Sequence, residues 1–166
     1  GQVAKEHEEL LKFHDKEIEA PYSDKELTQL AKHFSREDSK RIFQLIRDGA
    51  AKEEAQFKRD YSAGPELLLP ELGLQRKVCQ MLSVRAKYES QKENKAEALR
   101  LNRECLIIGN HLKREPFLIS QLVRLSNLEV SLATLRFIST FFELKDSELD
   151  DLNKLLMPYT DHTPLI

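Results

Sequence analysis

Apolar residues crowd the stretch from position 116 to 144, PFLISQLVRLSNLEVSLATLRFISTFFEL, at almost every turn of a helical projection. The pattern predicts one long helix with almost no polar face, and a helix of that kind is expected to be wrapped by others. On a wheel of 100° per residue, Glu129, Arg136 and Glu143 share one side with Leu118, Leu125 and Leu132. The opposite side carries Ile119, Val123, Val130, Ala133, Phe137 and Phe141 without a charge. Val123, Val130, Ala133, Phe137 and Phe141 are therefore the expected core contribution of this helix. The mixed side is expected either to meet another helix through leucines and ion pairs or to line a groove for a partner, with Glu129 and Arg136 as the groove-facing polar residues.

The remaining pattern is helical too. Val3, His7, Leu10, Leu11, His14 and Ile18 recur at three-and-four spacing and predict a peripheral helix over positions 3–19, ended by Pro21. Ser23 and Glu26 form a capping-box pair ahead of Leu27, Leu30, Ala31 and Phe34. Ser35, with Glu37 and Asp38 behind it, is a predicted cap for a third helix whose apolar face is Ile42, Phe43, Leu45 and Ile46. That helix is expected to bend at Gly49 or run on to Tyr61. Gly64, Pro65, Pro70 and Gly73 then cluster between Ser62 and Gly73, the strongest break in the chain.

The division expected is an N-terminal helical segment (1–61), a connection (62–73), a helical-hairpin core (74–157) and a tail (158–166). Four helices are predicted in the core, over 74–90, 95–112, 116–143 and 147–156, with Pro116 at a first helical position and Ser147 as a cap. Their short connections make two consecutive antiparallel hairpins. The fold class is all-α, a bundle or array of about seven helices.

Composition agrees. Of 166 residues 40% are hydrophobic and 33% charged, with 5 Gly and 6 Pro, which suits ordered helices with solvated outer faces. A formal net charge of -2 gives no basic excess to displace counterions, so nucleic acid is not an expected partner. Arg124, Glu129 and Arg136 interrupt the one long apolar helix, so no membrane span is expected. Gly1 ahead of a polar helix reads as a trimmed start, which leaves room upstream for a signal or an envelope anchor. Cys79 and Cys105 are too few for a disulfide framework and are expected to be free and packed.

In the first hairpin Leu82-Ser83-Val84-Arg85-Ala86, then Ala98 and Cys105, place small residues where two helices approach closely, joined by Gln91-Lys92-Glu93-Asn94. This region resembles tetratricopeptide-type helical hairpins. Glu89 and Asn102 depart from it, standing where that family prefers large aromatics. The stretch Cys105 to Leu144, especially Glu115 to Arg124, is similar to helical-repeat proteins of unknown function from bacterial cell envelopes. The resemblance implies an interaction scaffold outside the cytoplasm or anchored at the envelope.

No motif for chemistry stands out. His7 and His14 are two turns apart, about 10.5 Å, and Leu11 occupies the position where a zinc-protease helix would carry its second histidine. A metal there would need a distant ligand such as His33 to fold back and complete the site, which is not expected. His33 and His111 approach helix ends and His162 lies in the tail. There is no Gly-rich phosphate loop and no activated cysteine pair. The expectation is a non-enzymatic interaction or scaffold module with no cofactor and a protein partner. The runner-up is a binder of an apolar small molecule walled by Phe137, Phe141 and Phe142, and third stands an enzyme with an unfamiliar site.

Overall fold

The computed structural model describes residues 1–14, 20–52, 54–55, 58 and 69–160. Among these the structure is all-helical, with seven helices: α1 (Gln2–His14), α2 (Asp24–Ser35), α3 (Glu37–Ala50), α4 (Pro70–Gln91), α5 (Lys95–Asn110), α6 (Leu118–Phe141) and α7 (Asp146–Thr160). No helix of the described residues is long and apolar enough to cross a membrane. Ile18 and the residues from Ser62 to Leu68 lie outside the described set, as does His162.

Helix α4 is the hub, packing on α1, α5 and α6. Helices α4 and α5 pack on each other, and Ala86 and Ala98 on them are both fully buried. The turn between them closes with the Asn94 amide donating to the Glu89 carbonyl at 2.9 Å and with Glu93 in the left-handed region at φ 60°. Cys79 and Cys105 are free and buried in the same contact. The core cluster runs on from α4 and α5 into Leu10 and Phe13 of α1, Phe34 of α2 and Ile42, Phe43 and Ile46 of α3. Helix α1 is therefore not peripheral: Leu10 is 1% exposed.

Several helix ends differ from expectation. Ser23 and Glu26 do form the reciprocal capping box of α2. Ser35, however, donates its hydroxyl to the Lys32 carbonyl, and Arg36 stands at the start of α3. Helix α3 stops at Ala50, and Leu45 points outward at 55% exposed. Helix α4 starts four residues early, with Pro70 in its first turn and Gly73 inside it. At α6 the first helical residue is Leu118, because Phe117 takes the extended cap conformation and Pro116 precedes it. At α7 the Glu148 carboxylate accepts from the Lys145 amide, so Lys145 and not Ser147 takes the cap position, just ahead of Asp146.

The largest correction concerns α6. Of the five side chains expected in the core, Ala133 and Phe137 are buried, Val123 and Val130 are half-buried, and Phe141 is 43% exposed. The face that α6 turns inward carries small and polar groups: Ser120, Arg124, Asn127, Ser131 and Thr134. Three of them find partners on neighbouring helices, Arg124 through the Asn110 side chain of α5 and the Pro158 carbonyl of α7. Ser83 and Thr134 share a hydrogen bond of 2.6 Å, and Ser131 donates to Asn102 at 2.9 Å. Small side chains let α6 lie close to both neighbours, and the leucines are left outside. The helix is wrapped on one side only.

Candidate functional site

The outward face of α6 is the candidate. Leu118, Leu122, Leu125 and Leu132 are 75%, 52%, 53% and 40% exposed, an apolar strip of a kind a folded chain rarely leaves uncovered. Beside it runs an open groove of about 620 Å³, floored by Leu125, Leu128, Leu132 and Leu135 and edged by Glu129 and Arg136. The two residues singled out in the sequence are thus brought to one groove. Phe137, Phe141 and Phe142 are not in its lining; the Phe137 and Phe141 rings pack on each other with centres 5.1 Å apart.

The spacing explains the strip. Leu118, Leu125 and Leu132 recur every seven residues, and Leu128 and Leu135 fill the alternate positions three residues on. That is the heptad of a helix-pairing seam, with Glu129 and Arg136 in the flanking position. The wheel registers a mixed face here; the period was the signal that identifies a seam. Glu129 makes no ion pair among the described residues.

A second groove, of about 280 Å³, lies between α5 and α7 near Leu99 and Leu155. Two of its charged lining residues, Arg100 and Glu148, are paired within the chain. Arg100 bridges Glu97 and Glu104, and Lys95 pairs with Glu148 at 2.7 Å. Burial nevertheless pushes the Glu104 carboxyl above its ordinary range, with Arg100 only partly opposing it. This groove reads as a helix-to-helix joint.

His7, His33 and His111 resolve into structural partnerships. His7 hydrogen-bonds Gln80 at 2.6 Å, and His111 meets the Lys52 carbonyl at 3.1 Å. His33 does fold back, though onto carboxylates and not onto His7 or His14: its Nε2 lies 2.6 Å from Glu6 and its Nδ1 3.3 Å from Glu9. Glu6, Glu9 and His33 bring ligand-type atoms within 4.8 Å of one another, a donor set chemically suited to a divalent ion. Arg36, however, delivers its guanidinium to the same two carboxylates, at 2.5 Å from Glu9 and 3.4 Å from Glu6, and Ser39 donates to Glu6 at 2.5 Å. The positive charge that a metal would supply is already present, and the cluster works as a tie between α1, α2 and α3. Burial alone would raise the Glu6 carboxyl; the His33 and Ser39 hydrogen bonds and the charges of His33 and Arg36 outweigh it and hold Glu6 below its ordinary value.

Cys79 offers no nucleophile. Its interaction with the Cys105 side chain and its complete burial push the thiol well up, away from the thiolate.

No family model, curated protein or solved structure matches this chain.

Proposed function

We propose that the chain is a non-enzymatic helical interaction module whose docking face is the outward seam of α6. One observation carries this: a heptad of leucines, exposed along a 24-residue helix that turns Ser120, Arg124, Asn127, Ser131 and Thr134 into its own core. A helix ordinarily buries its leucines and leaves serines, asparagine and arginine to solvent. Here the reverse pattern spends apolar surface where only a partner can cover it. Glu129 and Arg136 on the edge of the groove would set partner choice and orientation.

The packed α4–α5 hairpin, with Ala86 and Ala98 fully buried on its two helices, supports a tetratricopeptide-like scaffold that presents α6 rigidly. The resemblance read in the sequence would place such a module at a bacterial cell envelope. The non-enzymatic reading draws support from the buried, protonated Cys79 and from the closed Glu6–His33–Arg36 network.

A photo-crosslinking residue placed at Leu125 tests the docking face in the cells that make the protein. Adducts at Leu125 that are missing from the same probe at exposed Arg103, on α5, are the expected result. No adduct at Leu125, or equal adducts at both sites, would remove the seam as a docking face.

A further inference from the structure

We infer that the partner on the α6 seam is a second copy of this chain, packed antiparallel across a two-fold axis; this rests on the reading of the seam as a docking face. The warrant is self-complementarity. Glu129 and Arg136 have opposite charge and stand one heptad apart on the same edge of the groove. An isologous interface sets residue i against j and j against i. Antiparallel helices therefore place Glu129 of each copy opposite Arg136 of the other, and the two contacts form together.

The apolar positions agree with the same register. With the axis between Ala133 and Thr134, Leu132 faces the second copy's Leu135, and Leu128 faces its Ser139, so a large residue meets a leucine at the centre and a small one beyond it. Those four side chains all line the groove. A parallel pair fails on geometry. It would bring Glu129 and Arg136 to the opposite flank of the partner helix, which is made by Arg124, Ser131 and Ile138. All three are buried in the chain's own body and unreachable. Helix α6 has 24 residues, about 36 Å of length at 1.5 Å per residue. A face that long can supply an area of the order of the roughly 800 Å² each side of a stable pair requires.

Sedimentation equilibrium of the whole chain, with circular dichroism to confirm helix content, tests the arrangement. The wild type is expected to form a two-copy species. E129R and R136E, each at an exposed position, should separately weaken it about tenfold or more by setting like charges face to face. Mixing the two variants should restore association, because an E129R copy and an R136E copy are complementary at both facing pairs. A wild type that stays monomeric up to about 1 mM, or a mixture that associates no better than either variant alone, overturns the self-pairing. If the Leu125 crosslink then yields an adduct with a different protein, the docking face stands and only its occupant changes; if it yields none, both readings fall.

Discussion

Gly109 shows how little room a single residue has in the joint between α5, α6 and α7. A Cβ added there would lie 2.6 Å from the Tyr159 hydroxyl oxygen and 3.2 Å from the Asn127 Cβ. Tyr159 cannot simply swing aside, since its hydroxyl donates to the Leu106 carbonyl at 2.8 Å and its ring lies 4.5 Å from the Arg124 guanidinium. Gly109→Ala is expected to cost about 1–3 kcal/mol by overpacking. Tyr159→Phe in the same chain should recover part of that loss, and equal urea midpoints for the alanine variant and wild type would contradict the contact. Glu6 makes the second prediction at this scale. Its folded-state pKa lies below the ordinary value of 4.5, so the unfolded chain takes up the proton more readily. The stability it contributes is complete above that value and is lost as pH falls through it and below. His33, Glu9, Arg36 and Ser39 are the groups that face it or its partners. Glu6→Gln should lower stability at neutral pH by about 1–3 kcal/mol and flatten the decline below pH 4.5, as read from urea midpoints across the acid range. An unchanged acid slope would show that Glu6 is not a source of it.

Among the elements, helix existence was legible in the sequence and helix orientation was not. The three-and-four spacing located seven helices, and the Ser23–Glu26 pair located one start, because these signals are local. The roll of α6 is a tertiary choice. Counting apolar residues puts Val123, Val130 and Phe141 inside. The close seat between α4 and α5 instead selects Ser131, Ala133 and Thr134, whose small side chains fit and whose hydroxyls find partners in Ser83 and Asn102. Glu129 and Arg136 were recognisable as edge residues because a charge pair in an apolar helix stands out. The Glu6–His33–Arg36 tie was not, because its members are 27 and 30 residues apart and only folding brings them together. Two substitutions check this packing. Ala98→Leu, at a fully buried position of α5, should cost about 1–3 kcal/mol. Phe137→Ala, at 2% exposure, should cost about 3–5 kcal/mol, and denaturant midpoints that hardly move in either variant would put the helices in the wrong register.

For the whole molecule, the question is whether α1 to α3, ahead of the break read in the sequence, behave as a unit apart from α4 to α7. Packing argues that they do not. One core cluster joins Leu10, Phe34 and Phe43 on the N-terminal side to Val78, Leu82 and Cys105 on the other. Phe34 reaches across to Tyr88 at 5.2 Å between ring centres, and Arg85 of α4 lies over the rings of Phe34 and Phe43. Polar links cross as well: His7 to Gln80, and the Tyr22 backbone to the Gln91 side chain through two hydrogen bonds. Removing α1 to α3 would therefore uncover the apolar face of α4. The chain is expected to unfold in a single transition, with far-ultraviolet helix signal and near-ultraviolet tyrosine signal superimposable in urea. Leu10→Ala, a truncation on α1 alone, should lower the midpoint of both signals together, by about 2–5 kcal/mol. A split in which the tyrosine signal changes while most of the helix signal persists would divide the molecule at the break and leave α4 to α7 folded on their own.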